Sequence, residues 1–184
     1  MTAYAIALFF HFVGMVALFV GYGLEWTGTS LLGRATTSDQ ARTALGLYRF
    51  SMPVSGPGLL ILILTGGYLA SITGGMRPGW ISGAWLGIVL LLGIGFAFIL
   101  PRVRTIRAAI PEGSAPLAGA TLARVQDPMV TTLIRLRFMV ALGIVALMTT
   151  KPQLLTTALF VLLGAVVVGL LCAATVWIKP APAA

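Results

Sequence analysis

Five apolar stretches alternate with short polar segments along the 184-residue chain. A helix needs roughly 20 residues to cross a hydrocarbon core about 30 Å thick, and stretches of this kind approach or exceed that length. The pattern predicts an all-α fold, a polytopic membrane helical bundle of five transmembrane helices in a single domain, residues 1–184. The predicted spans are residues 3–24, 57–72, 80–100, 131–149 and 154–178, with a cytoplasmic loop at 101–130 and a disordered tail at 179–184.

The composition agrees with this class of protein. Hydrophobic residues make up 59% of the chain and charged residues only 9%, far from the usual balance of a soluble domain. The single cysteine, Cys172, excludes a disulfide framework and a thiolate metal cluster. Because the spans occupy most of the chain, membrane lipids are the expected surroundings, and nucleic acid is not an expected partner despite a net charge of +8.

The basic residues are distributed unevenly between the two sides of the predicted bundle. Of the 12 lysines and arginines, only Arg77 and Lys151 lie in the short connections "GGMRPG" and "KPQ". The positive-inside rule therefore predicts an amino terminus outside and a carboxyl terminus in the cytoplasm. We expect a multi-pass protein of the bacterial cytoplasmic (inner) membrane.

The first cytoplasmic connection contains "SDQARTALGLYRF", in which Ser38 and Asp39 are suitable helix caps. This segment is either an amphipathic helix on the inner leaflet or an extension of the second span. The second connection, residues 101–130, is interrupted by prolines and glycines and has room for at most two short helical pieces.

His11 is the only histidine in the chain and lies within the first span. An ionisable side chain inside a membrane suggests a function, and histidine is a common ligand of haem iron. The alternative is a structural hydrogen bond from the imidazole to Thr65 or to a backbone carbonyl of a neighbouring helix. The sequence leaves both hypotheses open.

If His11 binds haem b, the same region of the bundle offers further candidates. Met148 is a suitable second ligand, whereas Met15 lies one turn away on the same helix and cannot reach the opposite haem face. Gly66 and Gly67 would leave space for a flat macrocycle. Arg77 and Lys151 are the cations available to the haem propionates.

Three arginines near the cytoplasmic ends of spans, Arg49, Arg135 and Arg137, are candidates for contact with a lipid head group or another anion. The alternative is ordinary snorkelling to lipid phosphates. Glu25, at the predicted inner end of the first span, could pair with one of these arginines.

Gly83 and Gly87 lie four residues apart on the third span, a spacing that permits close helix contact. We expect packing within the chain first and a dimer contact second.

The order of several short motifs resembles one superfamily of small bacterial membrane proteins. These motifs are "GMVALFVGYGLEW" after His11, "MP" before a helix ending in "LTGGYLA", "PGW" at the start of the third helix, and "LMTTKP" at the end of the fourth. The group includes the HemJ-type protoporphyrinogen oxidases, the copper-resistance D membrane domain and a family of unknown function, which the chain resembles most through "TGGYLA" and "MTTKP". The resemblance covers residues 5–153.

The resemblance implies that His11 is the haem ligand, because HemJ-type enzymes use a first-helix histidine for this role. Those enzymes also use a lysine early in the third helix and an acid at the start of the last shared helix. Here the corresponding stretch "WISGAWLG" has no lysine, and no acid follows Asp127. The missing groups argue against an oxidase, which needs residues that accept protons.

Three functions of different class follow from these features. The first is a redox or haem-related protein that binds haem b through His11. The second is a cofactor-free accessory or assembly protein that contacts itself or another membrane protein. The third is a small-molecule or ion permease that uses the arginines, a hypothesis disfavoured by the expectation that no span contains a buried acid.

Overall fold

A computed structural model of the chain describes residues 2–177, and the predicted tail at 179–184 lies outside them. The described residues are almost entirely helical, with one isolated bridge between Thr37 and Pro116. The helices are α1 (Ala3–Leu32), α2 (Ser38–Ile72), α3 (Gly79–Gly93), α4 (Leu100–Ala109), α5 (Gly119–Val125), α6 (Pro128–Thr150) and α7 (Leu155–Trp177). A π-helical turn, Ile94–Ile99, joins α3 to α4.

Five helical segments of the described chain are long and apolar enough to cross a membrane, as the hydrophobic pattern predicts. They are antiparallel along the chain, so the short connections after α2 and after α6 lie at one end of the bundle, together with the start of α1. We call this the hairpin end. The opposite end, where α1 meets α2 and where residues 110–118 lie, is the loop end.

Three predicted span boundaries are wrong by a wide margin. The third helical segment continues through the π-helical turn and α4 to Ala109 rather than ending at residue 100. α1 continues past residue 24 to Leu32, and α2 begins at Ser38 rather than at residue 57. The segment "SDQARTALGLYRF" is therefore an extension of the second span. Pro53 and Pro57 lie inside α2, as membrane helices allow when neighbouring groups satisfy the freed carbonyls.

α1 and α2 pack tightly through glycines spaced seven residues apart on α1. A Cβ atom at Gly14 would lie 2.8 Å from the Gly58 carbonyl oxygen, one at Gly21 would lie 2.5 Å from Ser55 Cβ, and one at Gly28 would lie 2.9 Å from the Ala44 carbonyl oxygen. Larger residues would hold the helices apart, since small residues set the approach distance of membrane helices. These two helices form the amino-terminal hairpin, whose own turn lies at the loop end and whose open end lies at the hairpin end.

α3, α6 and α7 form a three-helix unit that also packs through small residues. Cβ atoms added at Gly83 and Gly87 would lie 3.0 Å from Ala158 Cβ and 2.6 Å from Ile144 Cγ1, respectively. Both glycines therefore pack within the chain. Main-chain bonds from Gly79 to Gln153 and from Trp80 to Pro152 tie the start of α3 to the connection between α6 and α7.

The loop end is closed by contacts between the two long connections. Ser38 N–H donates to the Ala115 carbonyl and Leu117 N–H donates to the Thr36 carbonyl. Arg42 also donates to the Gly113 carbonyl. Two short helices, α4 and α5, occupy the second connection, in agreement with the sequence pattern.

Candidate functional site

A cavity of about 490 Å³ opens at the hairpin end, between the amino-terminal hairpin and the three-helix unit. Its size falls in the range of small-molecule and cofactor sites. The walls are mainly apolar and aromatic, and the floor is formed by Leu18, Leu59, Leu91 and Ala141. Exposed residues Tyr4 and Thr149 also line it, so the cavity reaches the surface at this end.

His11 lines this cavity and is held by one hydrogen bond. Its Nδ1 atom lies 3.0 Å from Thr65 Oγ1. The Thr65 hydroxyl also lies 2.6 Å from the Ile61 carbonyl oxygen, and when it donates its only proton there it accepts one from His11 Nδ1–H. The bond to Thr65, one of the partners named in the structural alternative, is present, and in this arrangement the Nε2 lone pair stays free to bind a metal.

Two glycines of α2 are placed differently with respect to the cavity. A Cβ at Gly66 would lie 3.2 Å from His11 Cε1, so this glycine makes room for the imidazole ring. Gly67 faces Trp85, whose Cζ2 atom would lie 3.9 Å from an added Cβ, and it does not line the cavity.

Of the other residues selected for a haem site, Met148 and Lys151 line the same cavity as His11. Lys151 caps α6 in a left-handed conformation, with φ of 46°, and its Nζ lies 5.8 Å from the centre of the Trp80 ring. Arg77 is exposed in the preceding connection and does not line the cavity. The structure therefore separates the two cations that the sequence grouped together.

These side chains form a donor set that fits haem. A neutral imidazole with a free Nε2 can bind iron, and a hydrogen bond at the other ring nitrogen is the usual means of orienting such a ligand. Among the described residues, no protein group bonds to Nε2. The thioether of Met148 is a second iron ligand of known type, and Lys151 supplies a cation at the cavity mouth.

A second polar site lies near the loop end and involves Glu25. Arg137 Nη1 lies 3.0 Å from Glu25 Oε2 and 3.3 Å from Oε1. Glu25 is 1% exposed and Arg137 is 8% exposed. The expected pairing of Glu25 with one of the three arginines is confirmed, but the expectation that no span contains a buried acid is wrong. Because α1 continues to Leu32, Glu25 lies inside the helix rather than at its end.

Tyr22 and a π-helical turn complete the surroundings of this ion pair. The guanidinium of Arg137 lies over the Tyr22 ring, 4.3 Å from Cζ to the centroid. A Cβ at Gly95, in the π-helical turn, would lie 3.1 Å from Arg137 Cζ. Within the described chain, the Tyr22 hydroxyl and Arg137 Nε are buried without a hydrogen-bond partner.

The three candidate lipid- or anion-binding arginines do not form one cluster. Arg49 is exposed on α2, whereas Arg137 is buried and neutralised by Glu25. Arg135 Nη1 donates to the Cys172 carbonyl at 2.7 Å and to Thr175 Oγ1 at 2.9 Å. Its guanidinium also lies 5.3 Å from the Trp26 ring centre. Arg135 and Arg137 are thus both held by protein contacts, and the buried Arg137 is not available as a surface anion contact.

The spacing of residues along the first helix indicates the second site. His11, Met15, Leu18, Tyr22 and Glu25 recur at intervals of three and four residues, which places them on one face of a helix. This face points at the interior, because its first three members line the cavity and the last two contact Arg137.

Comparison with family models, curated proteins and solved structures finds no match for this chain. The chain has two chemically distinct candidate sites, one at His11 and one at Glu25.

Proposed function

We propose that this chain is a haem b-binding protein of the bacterial inner membrane, in which His11 Nε2 would bind the iron. The observation that carries the proposal is the bond between His11 and Thr65. It orients the imidazole at a cavity of suitable size and leaves a metal-binding nitrogen without a protein partner. The amino terminus is assigned to the outside by the distribution of basic residues.

Each residue of the site has a distinct part in this proposal. Thr65 and Gly66 hold and accommodate the imidazole, Met148 is the candidate second ligand, and Lys151 would neutralise a carboxylate at the cavity mouth. Bound haem would supply one-electron chemistry, while the chain supplies binding, orientation and exclusion of water. The resemblance to HemJ-type oxidases supports haem binding. The absence of their lysine and acid from the matching positions favours a non-catalytic or electron-relaying role.

An absorption spectrum of the detergent-purified protein, expressed with added haem, tests the proposal. We expect a Soret band, and sharpened α and β bands after dithionite reduction. His11→Ala should abolish haem retention while the protein stays folded, and His11→Gln should not restore it. A colourless wild-type protein, or an alanine variant with unchanged haem content, would contradict the assignment.

The two cations at the hairpin end provide a matched control. Lys151→Gln should weaken haem retention, because Lys151 lines the cavity, whereas Arg77→Gln should not, because Arg77 lies outside it. Equal effects of the two substitutions on haem content would show that general surface charge, and not a cavity contact, controls loading.

The buried Glu25 favours one other function, a small-molecule or ion permease. A buried ion pair on the same helix face as a cavity is a common feature of substrate and ion pathways in membranes. Flux of small anions and cations into proteoliposomes, compared with protein-free liposomes, tests this alternative.

A further inference from the structure

Ser51 has two acceptors for one proton. Its Oγ atom lies 2.8 Å from the Tyr48 carbonyl oxygen and 3.1 Å from Glu25 Oε1. A hydroxyl group has a single proton, so it can donate to only one of these oxygens at a time. The carbonyl cannot supply a proton, but a carboxyl group can.

The Glu25 carboxyl group can therefore be hydrogen-bonded in both of its protonation states. When it is ionised, Oε1 accepts from Ser51 Oγ–H, and both oxygens accept from Arg137. When it is protonated at Oε1, it can donate to Ser51 Oγ, whose own proton then turns to the Tyr48 carbonyl. No heavy atom has to move between the two arrangements. A purely structural ion pair does not need such a two-way partner.

The charged and titratable groups around Glu25 come from three helices. Tyr22 lies on α1 itself, Tyr48 on α2 and Arg137 on α6, and the charge of Arg107 on α4 acts on Tyr48. Arg137 is the cation in direct contact with the carboxylate.

Arg137 packs against Gly95, which makes room for the guanidinium beside Glu25. Gly95 presents no side chain to the guanidinium, and Arg137 Nε has no partner among the described residues. The glycine belongs to a π-helical turn, a local structure that occurs frequently at functional sites.

We propose that Glu25 is a reversible proton-binding site inside the bundle, distinct from the cavity that contains His11. A proton from the aqueous phase binds to Oε1, and the Ser51 hydroxyl turns from Glu25 to the Tyr48 carbonyl. Release of the proton reverses both changes, and no oxidant or reductant takes part. The proposal does not depend on haem binding.

The chain has only two glutamates, Glu25 and Glu112, which makes a direct measurement practical. Protein labelled with ¹³C at the glutamate side-chain carboxyl gives two NMR signals in detergent micelles, and Glu112→Gln identifies the remaining one as Glu25. Glu112 is exposed in the second connection, so its signal is the reference from a solvent-exposed side chain. The native Glu25 and its partners stay intact in this experiment.

We expect the Glu25 signal to move between the positions of a carboxylate and a carboxylic acid over a pH range in which the protein stays folded. A Glu25 signal that stays constant while the Glu112 signal titrates would overturn the proposal. In that case, Glu25 is fixed in one state and has only a structural role.

Ser51→Ala and Ser55→Ala form a matched pair for the mechanism. Ser55 Oγ donates to the Ser51 carbonyl and has no bond to Glu25 in the described structure. The bond from Ser51 to the ionised carboxylate is charge-assisted and stronger than the bond from the neutral acid to Ser51, so Ser51→Ala should raise the proton affinity of Glu25 by about fivefold, and Ser55→Ala should not. Equal midpoints in both variants would overturn the assigned role of Ser51.

Discussion

The two polar sites on α1 differ in how completely the ionisable side chain that α1 contributes is hydrogen-bonded. Both carboxylate oxygens of Glu25 are hydrogen-bonded to Arg137, and apolar side chains fill the space between this pair and the cavity floor. His11 uses one ring nitrogen for Thr65 and leaves the other at a cavity. The same helix face therefore carries two different sites. At the loop end the ionisable group is paired within the chain, and at the hairpin end a ring nitrogen is left without a partner among the described residues.

The largest effect should come from separating the charges at the loop end. Arg137→Met leaves Glu25 buried without a counter-ion, and loss of one partner of a buried pair typically costs about 3 to 5 kcal/mol. Glu25→Gln should cost less, because the amide oxygen can still accept a hydrogen bond from Arg137 Nη1 and, like the protonated carboxyl group, the side chain is neutral. Unfolding of the purified variants in detergent, followed by circular dichroism, measures the loss.

The double variant Glu25→Gln, Arg137→Met is the control for this prediction. It removes both charges, so it should be less destabilised than the sum of the two single variants. Additive losses would mean that the two side chains stabilise the bundle independently and that the ion pair itself contributes little.

A smaller loss is expected from Gly21→Ala, next to the loop-end site. The new Cβ would lie 2.5 Å from Ser55 Cβ and 2.9 Å from Ser55 N, so α1 and α2 must separate. Overpacking of this kind costs about 1 to 3 kcal/mol. Gly23→Ala is the matched control, because no atom lies within 4 Å of its Cβ position. Equal thermal stability of the two variants would contradict the close packing.

Gly66→Ala should cost less free energy of unfolding than Gly21→Ala. Its Cβ would lie 3.2 Å from a His11 ring atom rather than near backbone, and the ring borders a cavity into which it can shift. We expect a loss under about 1 kcal/mol together with lower haem retention. Thermal unfolding and the haem spectrum of one preparation measure both effects, and a loss equal to that of Gly21→Ala would show that the hairpin-end site is as tightly packed as the loop end.

The smallest effect on stability should come from His11→Ala in the haem-free protein. Interhelical hydrogen bonds in membrane bundles contribute about 0.6 kcal/mol on average, and His11 makes one bond of this type. Thr65→Val should have a similar effect. A loss of several kcal/mol in unfolding measurements would mean that His11 is a structural residue.

The helical fold could be predicted from the sequence because hydrophobic length alone identifies a membrane span. The ends of the first two spans could not be predicted as well. Glu25 and Pro57 are residues that usually mark helix ends, and a hydropathy argument cannot anticipate that Arg137 neutralises the one or that a membrane helix continues through the other.

At the candidate sites, too, some contacts could be predicted from the sequence and others could not. The bond between His11 and Thr65 was predictable because few polar groups lie at that depth. The separation of Lys151 from Arg77 was not, because it depends on the left-handed turn at Lys151 and on the position of Trp80. Nor could the sequence reveal the π-helical turn beside Arg137, since a π turn depends on local packing and not on a residue pattern.

The position of the ion pair has a mechanical consequence for the cavity. In the described part of the chain, Glu25 and Arg137 form the salt bridge that joins the amino-terminal hairpin to the three-helix unit. His11 lies about 21 Å further along α1, at a rise of 1.5 Å per residue. With the pair as a fulcrum, a rotation of about 5° between the two units would change the width of the cavity near His11 by about 2 Å. The hairpin end lies farthest from the ion pair, so a small tilt between the two units changes distances there the most.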